Sequence, residues 1–255
     1  MKGVPVAERA RKAVRTLKRI YPDVRCALDY RNPFELYVAT VLSAQCTDER
    51  VNQVTPVLFA RYPSALALAA APREEIEAIV RPTGFFRNKA KSIQEGARRI
   101  VEAFGGGVPR TLEELITIPG TGRKTANVIL GCAFSVPGIT VDTHVRRLSQ
   151  RLGWTKLEDP VKIEFELMEI LPKRDWTAAS LLLIQHGRRV CLAHKPLCLE
   201  CAVLEWCPTG QRATRGGPAT PRPARHAAAA KAGAAPRPRR SPSSGRARRA
   251  GGSAG

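Results

Sequence analysis

The sequence lacks any run of apolar residues long enough to cross a membrane. A spanning helix needs about 20 such residues in succession, and charged residues interrupt every apolar stretch before that length. Charged residues also stand where a signal peptide would have its apolar centre, and Glu8 and Asp23 break the basic stretch that a mitochondrial transit peptide would show. We therefore expect a cytoplasmic protein.

Acidic residues are scarce as well. The chain has 22 Asp and Glu against 42 Lys and Arg, which gives a formal net charge of +20. Such an excess of positive charge favours a polyanionic partner, with nucleic acid first and an anionic membrane surface second. From Pro208 onward the basic residues have no Asp or Glu among them. The preceding body is still net basic, so the charge does not depend on the C-terminal segment.

Strand signals are weak, whereas helix signals are frequent. No segment reads as a convincing pair of strands, and apolar residues recur at helical spacing through most of residues 7–190. The spacing predicts one helical face at Val14, Leu17 and Tyr21, and another at Ile93, Ala97, Ile100 and Phe104. Predicted helix starts lie at Asn32, Ser64, Thr111 with Glu114 as a capping box, and Asp159. A chain of 255 residues can bury one large core or two modest ones, so we expect an all-α protein of one or two domains.

The composition changes after Cys207 to Ala, Arg, Pro, Gly and Ser. Large apolar side chains, which would offset the entropy lost on ordering, are nearly absent there. We expect residues 213–255 to form a disordered basic tail. Its charge either adds non-specific affinity for nucleic acid through counterion release or belongs to a solvated appendage.

Residues 111–134 show the pattern of a helix-hairpin-helix. A capped helix leads into Ile118-Pro119-Gly120-Thr121-Gly122, and Arg123 opens a second helix. Pro119 is predicted to end the first helix, and both glycines permit a positive φ and leave backbone amides unobstructed. Amides of a tight hairpin followed by a helix N-terminus form a cradle for a phosphate, a contact that grips DNA without reading its sequence. The alternative is an ordinary turn.

Lys124 and Asp142 are the candidate reactive residues. Lys124 falls in the opening turn of the second hairpin helix, where the positive end of the helix dipole disfavours an ammonium, so the side chain is either a nucleophilic amine or a solvated, phosphate-pairing lysine. Asp142 lies in Val-Asp-Thr-His, which also reads as the N-cap of a helix containing Leu148 and Leu152. His144 is either a phosphate or pocket contact or a residue of the helix surface.

Four of the seven cysteines, Cys191, Cys198, Cys201 and Cys207, form a C-x6-C-x2-C-x5-C cluster. Four thiolates within so short a segment predict a metal site, and tetrahedral sulfur ligation suits either zinc or a four-iron cluster. The long first gap contains Lys195, which would place positive charge at a fixed position on a DNA-binding surface. The scattered Cys26, Cys46 and Cys132 are interpreted as buried thiols.

The segments IPGTGRKTANVIL and VDTH, together with the three gaps between the four clustered cysteines, resemble the endonuclease III family of DNA glycosylases. That resemblance implies that Lys124 is the nucleophile, that Asp142 is its carboxylate partner, and that the cysteines bind a [4Fe-4S] cluster. It further implies an AP lyase that removes oxidised pyrimidines from duplex DNA and cleaves the abasic site by β-elimination. An amine that attacks the sugar C1′ can displace the base and form the Schiff base that such cleavage requires.

Two further segments carry the same resemblance. In Leu-Ser-Ala-Gln-Cys-Thr-Asp, Gln45 matches the glutamine that enters the duplex opposite an extruded base. Phe85 matches a second, apolar wedge where the family often has leucine, although a core phenylalanine is the alternative. Ser43 and Asp48 are candidate pocket residues, and Asp48 is otherwise a first-turn residue of the following helix. Gly120, Gly122, Arg123, His144 and Lys195 are the further candidate DNA contacts.

The family's architecture implies two helical domains that flank a DNA-binding cleft. The expected division is a helical barrel at residues 26–136 and a cluster domain made from residues 1–25 and 137–212, with Lys124 and Asp142 on opposite sides. We expect a monomer acting at the nucleoid. Two alternatives remain: a related glycosylase with another base preference, and a non-catalytic DNA-binding or redox-sensing protein.

Overall fold

The computed structural model describes residues 3–215, and every regular element in that range is a helix. The all-α prediction is therefore confirmed for that part of the chain. The α-helices are α1 (Val6–Ile20), α2 (Pro33–Leu42), α3 (Asp48–Arg61), α4 (Ala65–Ala70), α5 (Arg73–Val80), α6 (Phe86–Phe104), α7 (Leu112–Leu115), α8 (Arg123–Ala133), α9 (Thr143–Arg151), α10 (Pro160–Ile170), α11 (Trp176–Arg189) and α12 (Pro208–Thr214). Short 3-10 helices span Arg81–Thr83, Lys173–Asp175, Cys198–Glu200 and Leu204–Trp206. None of the described helices is long and apolar enough to cross a membrane.

The predicted helix starts are confirmed by their hydrogen bonds. The side-chain oxygens of Asn32, Ser64, Thr111 and Asp159 each accept the backbone amide three residues further on. Each bond satisfies an amide that has no partner inside the helix. The capping box differs in one contact, because the Glu114 carboxylate accepts the Thr111 hydroxyl at 2.7 Å and not the Thr111 backbone amide.

The apolar side chains form two separate buried clusters. The first core extends from Leu28 to Leu130 and takes side chains from α2 to α8. The predicted face of α6 is part of it: Ile93, Ala97 and Ile100 are fully buried, and Phe104 packs at its edge. The half-buried thiols of Cys26, Cys46 and Cys132 also pack against this core, so they are less enclosed than predicted.

The second core joins two distant parts of the sequence. It combines Ala10, Ala13, Val14 and Leu17 of α1 with side chains between Ile139 and Cys207. The predicted face of α1 therefore packs against α10 and α11, and Tyr21 borders the same cluster. The N-terminal helix is held by residues more than a hundred positions away.

Tyr37 links the first core to the hairpin. Its side chain is fully buried, and its hydroxyl lies 2.9 Å from the carbonyl oxygen of Pro119 and 3.1 Å from that of Ser92. The hydroxyl therefore holds the hairpin against α6. Gly96 leaves room for it, since a Cβ at that position would overlap the Tyr37 oxygen.

The C-terminal boundary differs slightly from the prediction. Helix α12 ends at Thr214, two residues inside the segment expected to be disordered, because Pro208 and the Cys207 sulfur, which accepts the Gly210 amide at 3.3 Å, start one more helix. Residues 216–255 of the predicted tail lie outside the described residues.

Tyr37→Phe should lower the free energy of unfolding by about 1 kcal/mol, because the partly buried carbonyl groups of Pro119 and Ser92 lose their shared donor. Urea titration followed by circular dichroism measures the loss. Tyr62→Phe is the matched control, since that hydroxyl bonds the half-exposed carboxylate of Glu75. An equal or smaller loss for Tyr37→Phe would contradict the assigned role.

Candidate active site

The hairpin lies where the sequence predicts it, but the helix before it ends earlier than predicted. Helix α7 stops at Leu115, and tight turns continue to the hairpin, with the Ile118 amide 3.1 Å from the Leu115 carbonyl and the Thr121 amide 3.0 Å from the Ile118 carbonyl. Pro119 therefore lies in the hairpin itself and does not terminate the helix. The prediction that Pro119 ends the first helix is wrong by three residues, because the turn tightens before the proline is reached.

The two hairpin glycines have different conformations. Gly120 has φ +79°, which favours glycine, and a Cβ there would approach Val41 and Ser92 to 3.2 Å. Gly122 has an extended backbone, φ −88° and ψ 175°, and is the N-cap of α8. A Cβ at Gly122 would meet nothing within 4 Å. Open space therefore lies beside the first amides of α8, and only Gly120 uses a positive φ.

Lys124 and Arg123 begin α8 but have different surroundings. The Lys124 side chain is exposed and makes no hydrogen bond within residues 3–215. The Arg123 guanidinium is held by Glu164 of α10, with Nε 2.8 Å from Oε2 and Nη2 3.0 Å from Oε1. The amine is therefore free to reach a substrate, whereas the neighbouring positive charge is neutralised inside the protein.

Asp142 caps α9, as one of its two predicted roles requires. Its Oδ1 accepts the Val145 amide at 2.7 Å, and Oδ2 has no hydrogen-bond partner among residues 3–215. The segment leading to Asp142 is attached to α8, because the Asn127 side-chain amide donates to the Ile139 carbonyl at 3.0 Å. The helix with the candidate lysine and the segment with the candidate carboxylate are thus directly connected.

His144 is half-buried on α9. Its Nδ1 lies 3.1 Å from the Arg147 guanidinium, and Gly187 of α11 packs directly against the ring. Burial lowers the pKa of His144, and the Arg147 and Arg188 charges lower it further, although Asp142 opposes the shift. The imidazole is accordingly held neutral near neutral pH.

The segment after α2 presents Gln45 and holds Asp48. Gln45 is exposed with φ +53°, and Ser43 ends α2 with its hydroxyl donating to the Thr40 carbonyl at 2.8 Å. Asp48, in the first turn of α3, forms a 2.7 Å ion pair with Arg188 of α11. That contact joins elements of the two cores and neutralises the Arg188 charge.

Phe85 lies in a strained turn at the start of α6. Its side chain is 65% exposed, and both Gly84 (φ +71°) and Phe85 (φ +48°) are left-handed. The preceding Thr83 carbonyl accepts the buried ammonium of Lys89 at 2.6 Å, which holds the turn. Burial lowers the pKa of Lys89. The core interpretation of Phe85 is therefore wrong: the ring projects from the surface on a fixed turn.

The four clustered cysteines line one small cavity of about 60 Å³. The other walls are mainly apolar, with Val190, Pro196, Leu197 and Leu204 among them. Burial raises the pKa of Cys198 and Cys207, and that of Cys201 to about 12. Thiolates so placed need a bound cation. No group of three His, Cys, Asp or Glu side chains within residues 3–215 is close enough to hold a single metal ion.

Side chains that the sequence did not single out support this cavity. Arg151 of α9 donates to the Cys191 sulfur at 3.3 Å and to the Leu192 and Ala193 carbonyls at 2.6 and 2.9 Å. His186, which is 3% exposed, places Nε2 3.4 Å from the Cys201 sulfur and Nδ1 3.1 Å from the Tyr21 hydroxyl. Lys195 is exposed at the outer side of the loop with φ +51°.

Comparison with known proteins identifies this arrangement. Residues 38–173, which include the hairpin and Asp142, match the HhH-GPD superfamily of base excision DNA repair proteins, and that is the class of protein defined by the fold and the hairpin. The chain is 58% identical over 205 residues to the endonuclease III of Synechocystis, covering 80% of this chain and 94% of that protein. It is 47% identical over 199 residues to the Bacillus subtilis endonuclease III, covering 78% and 91%.

Solved structures agree. A non-covalent endonuclease III–DNA complex and a trapped covalent endonuclease III–DNA intermediate each match with a TM-score of 0.78 and 42% identity, covering 83% of this chain and all of the other. The chain belongs to the endonuclease III family. The predictions of a DNA-binding protein and of a DNA glycosylase and AP lyase are thereby confirmed.

Proposed function

We propose that Lys124 and Asp142 carry out the reaction and that the substrate is duplex DNA containing oxidised pyrimidines or abasic sites. The observation that carries the proposal is the exposed Lys124 amine in the first turn of α8, directly after a hairpin in which a side chain at Gly122 would meet nothing within 4 Å. Asp142 opens a helix whose leading segment is hydrogen-bonded to α8. The covalent DNA intermediate trapped on a 42% identical relative supports a nucleophilic mechanism.

The chemistry follows from an amine attacking the sugar. The Lys124 lone pair forms a bond to C1′ as the base leaves with the electrons of its own bond to C1′ and takes up a proton. Opening of the sugar ring gives a Schiff base, which makes the C2′ proton acidic. Removal of the C2′ proton by a base expels the 3′ phosphate and cleaves the strand. A hydroxyl nucleophile cannot form this imine, so the activity depends on an amine at position 124.

Asp142 serves both the fold and the chemistry. One carboxylate oxygen caps α9, and the other has no protein partner among the described residues. A carboxylate next to the sugar assists proton transfer from the lysine and stabilises the positive charge that develops as the base leaves. Its attachment through the cap fixes the direction of the carboxylate, because a capped oxygen cannot rotate freely.

The hairpin grips the DNA backbone. The first amides of α8 have no partner inside the helix, and there is space beside Gly122 in which a phosphate would interact with the positive end of the helix. Arg123 contributes its backbone amide, because its guanidinium is held by Glu164. Gly120 supplies the sharp turn. The exposed Lys195 adds a phosphate contact on the cysteine loop.

Gln45 and Phe85 are the residues that fill the duplex when a nucleotide is extruded. Both side chains are exposed on left-handed backbone positions, which hold them away from the body of the protein. A polar plug and an apolar wedge replace the lost stacking and pairing. Ser43, Asp48 and His144 are proposed to line the pocket, where the ion pair with Arg188 fixes Asp48.

The four cysteines are proposed to hold a [4Fe-4S] cluster. The four cysteines line one cavity, and their C-x6-C-x2-C-x5-C spacing resembles the cluster loop of the endonuclease III family. When bound, such a cluster supplies the positive charge that buried thiolates require and cross-links the C-terminal loop. Hydrolytic and lyase steps need no electron transfer, so its role is to shape the DNA-binding surface. We also propose two domains, one formed by residues 26–136 and the other by residues 1–25 and 137–212, and the two buried cores support this division. The enzyme is proposed to act as a monomer at the nucleoid.

Borohydride trapping on duplex DNA with a thymine glycol or an abasic site tests the mechanism, because only an imine is reduced to a stable link. Lys124→Ala should abolish the adduct. Asp142→Asn should slow its formation about 100-fold or more, since proton transfer of this kind contributes that much. Stability should be preserved because asparagine caps as well as aspartate.

The matched control is Asp159→Asn, which changes another capping aspartate with the same hydrogen bond. Its trapping rate should equal that of the unaltered protein. An adduct formed with the abasic site but not with thymine glycol would support the lyase activity and show that the enzyme removes a different base. No adduct from folded protein on either substrate would overturn the lysine mechanism.

Gly122→Ser should weaken binding to duplex DNA about tenfold, equivalent to about 1.4 kcal/mol. Serine fits the extended backbone and is a good N-cap, so the protein should remain as stable, but its hydroxyl occupies the amides that the phosphate would use. Fluorescence anisotropy measures the affinity. Gly107→Ser, at a glycine outside the hairpin, should leave it unchanged, and an equal effect of the two variants would contradict the phosphate site.

Purified protein should contain about four iron atoms per chain and show the visible absorbance of an iron-sulfur cluster. Cys201→Ser should lose most of this iron, whereas Cys46→Ser, which changes a thiol outside the cavity, should retain it. Elemental analysis provides the measurement. One zinc atom per chain in place of iron would show that the cluster assignment is wrong.

A further inference from the structure

Glu164 is a buried carboxylate whose two oxygens are both engaged. It lies on α10 and is 4% exposed. Both oxygens pair with the Arg123 guanidinium, and Oε1 also accepts the side-chain amide of Asn127 at 3.1 Å. The Phe165 ring stacks over the same guanidinium, 5.1 Å from its carbon. A carboxylate this enclosed is stable only while these partners remain in place.

Asn127 extends the contact to a third segment. The same amide nitrogen donates to the Ile139 carbonyl at 3.0 Å, and Asn127 is 5% exposed. Gly138 packs so closely that a Cβ there would lie 2.7 Å from the Asn127 oxygen. Helix α10, helix α8 and the segment before α9 are therefore joined by one polar network of Arg123, Asn127 and Glu164.

This network crosses between the two cores. Ala126 and Ile129 of α8 belong to the first core, whereas Ile163 and Leu167 of α10 belong to the second. Apolar packing within each core does not by itself fix their relative position. Directed hydrogen bonds do so, because their strength depends steeply on distance and angle.

The network also borders both reactive residues. Arg123 precedes Lys124 in the first turn of α8, and Ile139 lies three residues before Asp142. A shift of α8 relative to α10 would therefore move the amine relative to the carboxylate. Misplacement of a reacting group by about 1 Å can cost about 100-fold in rate.

We propose that Glu164 is a positioning residue that sets the Lys124 amine relative to the Asp142 carboxylate. The inference rests on the proposed roles of those two residues. Glu164 does not touch the substrate, and it acts through Arg123 and Asn127. Its removal should slow the chemical step without weakening DNA binding to the same extent.

The first experiment compares Glu164→Gln with the unaltered holoenzyme in single-turnover borohydride trapping at saturating abasic-site DNA. The glutamine keeps the size and one acceptor but removes the charge that holds Arg123. The trapping rate should fall about 10- to 100-fold, while the Kd for the DNA changes by about twofold or less. An unchanged rate would overturn the inference.

The matched control is Glu35→Gln. Glu35 is also a buried carboxylate, 2% exposed, and is held by Arg31 through Nε at 2.9 Å and Nη2 at 2.6 Å. That pair lies within the first core's own elements. Both variants should lose stability, but only Glu164→Gln should lose rate. Equal rate losses would show that general destabilisation is responsible and would overturn the proposal.

Arg123→Met with Glu164→Met separates positioning from folding. Replacing both charges by apolar side chains removes the unpaired buried charge and should restore the thermal stability that Glu164→Gln loses. The positioning role requires the trapping rate to stay low in this double variant. Recovery of the rate together with stability would overturn it. The Lys124→Ala variant is measured in parallel. If this variant still forms a trapped adduct with the DNA, the proposed active site on which the inference rests is refuted.

Discussion

The Tyr37 hydroxyl fixes the hairpin from inside the protein. Its contacts with the Pro119 and Ser92 carbonyls connect the turn to both α2 and α6. Gly96 and Gly120 are required by the same close packing, one to admit the tyrosine ring and the other to turn the chain. The hairpin that leads into α8 is thus held in place by a buried side chain of α2.

Arginines and Lys124 near the candidate site differ in whether a carboxylate pairs with them. Several arginines near the site are neutralised by carboxylates, as Arg123 is by Glu164 and Arg188 by Asp48. Lys124 makes no such contact among the described residues. The excess of basic over acidic residues in the whole sequence favours association with the DNA backbone.

The parts of the molecule that could be read from the sequence are local ones. Caps such as Asn32 and Asp142 act on amides three residues away, and helical faces repeat every few positions, so both leave a short-range pattern. The hairpin was recognisable for the same reason. Glu164, Asn127, Arg151 and His186 were missed because their partners lie far away in sequence, and an isolated polar residue in a helix gives no sign of being buried. The different φ values of Gly120 and Gly122 depend on tertiary packing that two similar glycines cannot reveal.

The membership of α1 in the second core has a consequence for the order of folding during synthesis. The first core is contiguous in sequence and can close once residue 130 has emerged from the ribosome, whereas α1 emerges first and must wait for partners as distant as Cys207. Contacts between residues so far apart in sequence form late, because the entropy lost in ordering the intervening chain comes before the stabilisation that the contacts provide. The amphipathic α1 therefore remains without its packing partners for most of translation, and completion of the second core, with its cysteine loop, is the step that finally encloses it.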